Sequence, residues 1–252
     1  MRIRGYAPGT PCFAEVTSPL PGTAERFYGD LFGWTLSDGV FRLQGLPVAA
    51  LRPLPPGVPP VWTTFVATSD TDTTADSVTG AGGRVVFGPA EATAGRLALF
   101  ADREGAVFGV WQSRGFRGAQ VMNEPGAPCW YELSSRDLDR ARAFYGTVFG
   151  WAERPGESAP GNPYSEWISG EDTVGGLLPL DHRVPPGVPA HWTVCLMVED
   201  CAAACARSIA LGGAVVQEPM EIQAGYYGRV RDPHGAHFAV VELSDSWRTG
   251  LF

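Results

Sequence analysis

Three side chains suited to acid–base or metal chemistry lie in the second half of the chain. Glu132 lies in the segment PCWYELSS, His191 follows the loop PPGVPA, and His237 lies in DPHGAHFAVVE. Two imidazoles and one carboxylate form a donor set found in non-haem iron and zinc sites. A carboxylate buried in an apolar site also serves as a general base, because burial raises its pKa towards neutrality. The residue types alone leave both kinds of chemistry open.

The elements that would position these residues occur twice. The stretch from Pro128 to Trp151 repeats the stretch from Pro11 to Trp34 at an offset of 117 residues, with eleven of twenty-four positions identical. Each copy predicts a strand, a turn, an amphipathic helix ending in FYGxxFGW and the start of another strand. Glu15 is the repeat equivalent of Glu132. The chain is therefore a tandem duplication.

Each half also contains two similar units. The segments WTTFVATSD and WTVCLMVED each open a second strand–helix–strand series after a Pro-rich loop. A predicted hairpin closes each half, over residues 95–112 and 225–242. We therefore predict four βαβββ units in two pairs. The predicted domains span residues 8–113 and 127–244, and a linker spans residues 114–126.

Composition and charge exclude several classes of protein. The 252 residues are 44% hydrophobic and 18% charged, which is typical of a globular protein with room for two cores. The formal net charge of −8 argues against a nucleic-acid partner, because phosphate binding needs clustered basic residues. No apolar run approaches the ~18 residues of a membrane span, and no signal peptide is recognised. We expect cytoplasmic residence.

These motifs resemble the vicinal oxygen chelate superfamily. The helix ending FYGTVFGW and the closing hairpin DPHGAHFAVVE carry the resemblance, which covers nearly all of the chain. That superfamily includes glyoxalase I, bleomycin-resistance proteins and extradiol dioxygenases. It implies an α+β fold in which each pair of units forms a cupped half-barrel sheet, with helices outside and a small ligand in the cup.

Enzymes of this superfamily hold a divalent metal in the cup. The family's ligand positions fall on Trp130, Thr193 and Ala239 in the second half and on Phe13, Thr63 and Gly109 in the first. None of these residues is a good metal ligand. We therefore predict no metal in either half. The resemblance then implies a metal-free binding protein, which holds an aromatic or amphipathic ligand by stacking and burial.

A competing interpretation retains a metal in the second half. Glu132, His191 and His237 each lie two residues from a family ligand position, so all three should face the same side of the sheet. They could hold a divalent metal if they converged. Glu15 has two interpretations: a hydrogen-bonded structural carboxylate near the rim of the first cup, or a group that orients the ligand.

Aromatic residues on the predicted strands favour a flat ligand. Trp34 and Trp151 are expected to anchor the core, and Trp62 and Trp192 to pack against the helices. The predicted ligand-binding residues are Phe13, Glu15, Thr63, Trp111, Trp130, Glu132, Tyr164, Trp167, His191, Thr193, Tyr227 and His237. Glu132 and His191 are also the candidate catalytic residues.

The sequence leaves three functional hypotheses. The first is a metal-independent binding protein that sequesters or carries a small aromatic natural product or antibiotic. The second is a metal-free tailoring enzyme, such as a hydroxylase, cyclase or lyase, that uses Glu132 and His191. The third is a metal-dependent enzyme that uses Glu132, His191 and His237. We expect no nucleic-acid or membrane partner, and either a monomer resembling a dimer or a homodimer.

Overall fold

Each half of the chain folds into one open, eight-stranded sheet. The structure, a computed structural model, describes residues 1–55, 57–156, 164–180 and 184–250. The first half contains β1 Pro11–Ser18, α1 Pro21–Phe32, β2 Thr35–Ser37, β3 Val40–Leu43, β4 Leu46–Pro53, β5 Trp62–Ala67, α2 Thr71–Gly80, β6 Arg84–Ala92, β7 Gly95–Ala101 and β8 Val107–Ser113. Its strand order is β2-β3-β4-β1-β5-β8-β7-β6.

The second half repeats this arrangement. It contains β9 Pro128–Ser135, α3 Leu138–Phe149, β10 Ala152–Pro155, β11 Ser165–Ser169, β12 Asp172–Pro179, β13 His191–Met197, α4 Cys201–Ala210, β14 Ala214–Ile222, β15 Gly225–Arg231, β16 His237–Leu243 and α5 Asp245–Gly250. Its strand order is β10-β11-β12-β9-β13-β16-β15-β14. The α+β fold and the two pairs of βαβββ units are confirmed. The exact domain boundaries stay a prediction.

Local sequence signals explain the helices that cover the sheets. Asp137 caps α3, because its Oδ1 accepts a hydrogen bond from the backbone N–H of Arg140 at 2.9 Å. Gly33 and Gly150 end α1 and α3 in the left-handed conformation, with φ values of 73° and 72°, which glycine adopts without strain. Both helices therefore end at the FGW sequence, where the chain turns back onto the sheet.

Hydrogen bonds between the two halves occur at equivalent positions of the two repeats. The Tyr28 hydroxyl of α1 donates to Asp232 Oδ2 of the other half at 3.0 Å and accepts from Trp62 Nε1 at 2.9 Å. The equivalent bonds join Tyr145 to Asp102 at 3.1 Å and Trp192 to Tyr145 at 2.9 Å. Trp62 and Trp192 therefore pack on the helix side, as predicted.

The predicted linker packs against the first half of the chain, where Ala119 and Val121 are buried. Val121 forms a β-bridge with Arg2, and the backbone N–H of Ile3 donates to the carbonyl of Gln120 at 3.0 Å. Residues 2–3 and the linker thus run side by side. Among the helices of the described ranges, none is both long and apolar enough to cross a bilayer.

Candidate functional site

The strand register determines which side chains face the second cup. Glu132 on β9 is opposite Thr193 on β13, and Trp130 is opposite Cys195. Residues directly opposite each other in a ladder point to the same face. Cys195 is in turn beside Ala239 on β16, and Ala239 is beside Arg229 on β15. His191 lies two residues before Thr193, so it shares this face.

Glu132 is the buried carboxyl group at the centre of the second cup. The residue is only 9% exposed to solvent. Burial raises the pKa of Glu132 from 4.5 to about 7, although hydrogen bonds from Cys195 and Tyr227 and the charge of Arg229 oppose this rise. The group is therefore an equilibrium mixture of carboxylic acid and carboxylate near neutral pH.

Arg229 and His191 form a fixed pair beside this carboxyl group. Arg229 Nη2 donates to His191 Nε2 at 2.8 Å, because a guanidinium has no acceptor atom. The proton of the neutral ring is then on Nδ1, which donates to the carbonyl of Pro189 at 2.8 Å. Burial and the charge of Arg229 lower the pKa of His191. Neither ring nitrogen is free to exchange a proton with a ligand, so His191 acts in this geometry by holding Arg229.

Aromatic side chains form one wall of the second cup. Trp130 Nε1 donates to the Tyr164 hydroxyl at 2.6 Å, and both side chains are partly buried. Gly176 permits this contact, since a Cβ there would collide with the Tyr164 hydroxyl. Among the described residues, no aromatic ring stacks on Trp130. Tyr227 packs in the same apolar cluster as Trp130, as does Trp247 of α5.

The first cup is filled by its own aromatic residues. The ring of Phe13 stacks on Phe65 with a centroid separation of 4.7 Å. Phe116, from the linker, contacts Phe13 edge-on at 5.1 Å and covers the pair. Trp111 Nε1 donates to the carbonyl of Phe116 at 2.7 Å, which holds the linker in place. This packing leaves the ring of Phe65 only 1% exposed.

Glu15 has a partner of its own in the first cup. Arg52 Nε donates to Glu15 Oε1 at 2.7 Å, and the ion pair is partly exposed. Burial raises the pKa of Glu15, and the charge and hydrogen bond of Arg52 oppose the rise. The structural interpretation of Glu15 fits this ion pair. Thr63 is buried opposite Glu15.

The repeat shows what distinguishes the two cups. Cys195 replaces Phe65, Val241 replaces Trp111, Arg229 replaces Leu99 and His191 replaces Val61. Two large rings of the first cup thus correspond to smaller side chains in the second, whereas Phe13 corresponds to Trp130 and Leu97 to Tyr227. Apolar positions of the first cup correspond to polar ones in the second, which is the pattern of a ligand site.

Two predicted site residues do not lie where we expected. Trp167 is fully buried in the main core, where it contacts Tyr145 and Trp151, so its predicted position in the cup is wrong. It is three residues from Tyr164, and an odd separation along a strand reverses the face. His237 points to the cup face but is exposed at the rim.

Sequence reasoning missed three residues of the second cup. They are Arg229, Cys195 and Trp247. Strand alternation from Tyr227 would have placed Arg229 on the cup face, and the loss of Phe65 at the equivalent position would have drawn attention to Cys195. Trp247 lies beyond the repeat and carries no such signal.

The residues of the second cup do not fit a divalent metal. The family's ligand positions hold Trp130, Thr193 and Ala239, and the guanidinium of Arg229 would repel a cation beside Glu132. Within the described ranges, no group of three or more His, Cys, Asp or Glu side chains is placed to bind a metal. The set Glu132, His191 and His237 therefore does not converge.

Comparison with known proteins defines the class. A family model described as a glyoxalase-like domain matches residues 130–241. The Mn(II)-bound glyoxalase from Novosphingobium aromaticivorans has a TM-score of 0.62 at 18% identity, covering 93% of this chain and 82% of that chain. The 2,2',3-trihydroxybiphenyl 1,2-dioxygenase from Sphingomonas wittichii also has a TM-score of 0.62, at 16% identity, covering 94% and 91%.

Two curated relatives are similar over nearly their whole length. "Putative glyoxylase CFP32" of Mycobacterium tuberculosis is 36% identical, covering 94% of this chain and 96% of that protein. "Anthracycline biosynthesis protein DnrV" of Streptomyces peucetius is 36% identical, covering 96% of each. The chain belongs to the vicinal oxygen chelate superfamily, as a tandem two-domain, glyoxalase-like member.

Proposed function

We propose that the second cup binds a flat aromatic small molecule without a metal, and that the protein sequesters or carries a natural product. The observation that carries the proposal is the difference between the cups at one position. Phe65 fills the first cup, whereas the smaller, buried side chain of Cys195 occupies the equivalent position beside Trp130 and Glu132. An apolar cup with a few polar groups and an aromatic ring, Trp130, on which no other ring of the described residues stacks suits a planar, amphipathic ligand.

The relatives support the same class of ligand. Two of them, from Streptomyces peucetius and Streptomyces sp. strain C5, are named anthracycline biosynthesis proteins, and the latter is 35% identical over 96% of each chain. Anthracyclines are flat, hydroxylated polycyclic quinones. Such a ring system would stack on Trp130 while its oxygens reached Glu132 and Arg229.

A titration with alizarin, a hydroxylated anthraquinone dye, tests binding. We expect saturable binding that quenches tryptophan fluorescence and leaves the mass of the dye unchanged. Trp130→Ala should weaken binding by about tenfold, because the stacking surface and its burial are lost. Trp111→Phe in the first cup is the matched control and should leave the affinity unchanged. Equal losses in both variants would contradict a site in the second cup.

Independence from metal is tested separately. Protein dialysed against a chelator should bind alizarin as tightly as untreated protein. Elemental analysis of protein purified without added metal provides a second readout. A stoichiometric metal that is lost in His191→Ala, together with loss of dye binding after chelation, would contradict the proposal.

A second candidate is a metal-free tailoring enzyme. The pKa of Glu132, about 7, favours it, because a general base works best when its pKa is near the working pH. Glu132 would take a proton from an acidic C–H or O–H group of the ligand, and Arg229 would stabilise the resulting oxyanion. A product peak that Glu132→Gln abolishes while dye binding persists would favour this enzyme over a carrier.

A further inference from the structure

The side chain of Arg229 crosses the floor of the second cup. It begins on β15, and β16 separates that strand from β13, which carries its partner His191. Two strand spacings are roughly 10 Å, so the guanidinium extends over β16 rather than out to solvent. Ala239 is the β16 residue opposite Arg229, and its short side chain leaves room for this path.

The guanidinium has hydrogen-bonding capacity to spare. Nη2 is bound to His191, whereas the buried Nε finds no hydrogen-bond partner among the residues that the structure describes. A buried N–H without a partner costs free energy, so a ligand that accepts from it gains more than it would at the surface. This buried donor is a second observation, independent of the replacement of Phe65 by the smaller Cys195.

The charge of Arg229 is not neutralised as that of Arg52 is. In the first cup Arg52 forms a direct ion pair with Glu15 at 2.7 Å. In the second cup Arg229 acts on Glu132 through its charge, and Glu132 is partly protonated near neutral pH. The other ionisable groups on the face are Tyr164, His191, Cys195 and Tyr227, together with Glu166, whose charge is neutralised by Arg154 at 2.7 Å; Arg231 and His237 lie at the rim. The second cup therefore has spare positive charge.

On the basis of the proposed function, we infer that Arg229, held by His191, binds an ionised oxygen of the ligand. The second cup then selects planar aromatic molecules that carry an acidic hydroxyl group, and it binds them as the anion. The first cup cannot do this, because Leu99 occupies the position of Arg229. The guanidinium of Arg229 would then bind the ligand's negatively charged oxygen, as the divalent metal does in relatives that hold one.

The ionisation of bound alizarin tests the inference. The dye changes colour when its acidic hydroxyl loses a proton, so the pH midpoint of the bound form can be measured. An opposite charge within bonding reach should lower that midpoint by about 1 pH unit or more relative to the free dye. The dimethyl ether of alizarin cannot ionise and should bind about tenfold more weakly or worse.

Three variants complete the test. Arg229→Leu, which introduces the residue of the first cup, should weaken alizarin binding by about tenfold to a hundredfold and abolish the midpoint shift. It should leave binding of the dimethyl ether within about threefold, because only the charge contact is lost. Arg229→Lys should keep part of the shift. Arg231→Leu, on the same strand and face but exposed, is the control and should keep the whole shift.

The outcomes separate the two proposals. If neither dye binds, both the proposed function and this inference are wrong. If both dyes bind equally and the midpoint of bound alizarin is unshifted, the inference alone is wrong. The same holds if Arg229→Leu keeps the shift. Circular dichroism shows whether each variant is folded. If Arg229→Leu does not fold, the midpoint shift of alizarin bound to Arg229→Lys still tests the inference.

Discussion

Cys195 and Phe65 are repeat equivalents at the centres of the two cups, and they differ by an aromatic ring. Phe65 stacks on Phe13 at 4.7 Å. Cys195 is buried opposite Trp130, and its thiol hydrogen-bonds the Glu132 carboxyl group. Duplication thus produced two cups of the same architecture, one with aromatic rings at its centre and one with polar groups there. The proposed function follows from this asymmetry.

The first prediction concerns the buried carboxyl group of Glu132. Its pKa is raised from 4.5 in the unfolded chain to about 7 in the folded protein, so the folded state binds a proton more tightly. Stability is therefore lost as the pH rises from about 4.5 to 7, by roughly 3 kcal/mol. Glu132→Gln cannot ionise and should escape this loss.

Thermal unfolding at a series of pH values measures the effect. The Tm of Glu132→Gln relative to the native protein should rise between pH 4.5 and pH 7, by several degrees, and level off above that range. Histidine titration is common to both proteins and cancels in the difference. Glu25→Gln, at an exposed site on α1, is the control. A Tm difference that does not change with pH would contradict the buried, protonated state.

The second prediction separates two roles of His191. If His191 holds Arg229, His191→Gln should retain function, because the glutamine carbonyl oxygen can accept the same hydrogen bond. His191→Ala leaves the guanidinium without this partner and should weaken alizarin binding by about tenfold. If His191 were instead an acid–base catalyst, Gln and Ala would be equally inactive. Binding affinity and product formation, measured side by side, distinguish the two roles.

The third prediction concerns the contact between the halves. Tyr28→Phe removes the hydroxyl that bonds Asp232 and Trp62, and should lower the free energy of unfolding by about 1–3 kcal/mol. Tyr145→Phe should have a similar cost because its bonds are equivalent. Tyr226→Phe, at an exposed site, should change it by less than about 0.5 kcal/mol. Urea unfolding checks this. Similar values for Tyr28→Phe and Tyr226→Phe would disprove a structural role for the contact.

Much of this fold can be predicted from the sequence because its signals are local and occur twice. The duplicated helix stop at Gly33 and Gly150 and the alternation of β9 predict the strand–helix order and the inward direction of Glu132. Pairing across strands is not a local property. The bond from Arg229 to His191 spans two strand spacings, and nothing near either residue indicates it.

The predictions of site residues that were incomplete or wrong also depended on properties that are not local in the sequence. Phe116 lies in a segment whose composition indicates only a linker, so the filling of the first cup depends on tertiary packing. Residue type groups Trp167 with Tyr164, although the odd separation between them places the two side chains on opposite faces. Residue type suggested a flat ligand, but the register decided which aromatic residues could touch it.

The most direct test of the central claim is the stoichiometry of alizarin binding to the native protein and to Cys195→Phe. Isothermal titration calorimetry should give one bound dye per native chain. Cys195→Phe introduces the first cup's residue into the second, and should abolish binding while leaving the protein folded, since the first cup already accommodates this ring. Two dyes per native chain, or one dye still bound by folded Cys195→Phe, would contradict the account.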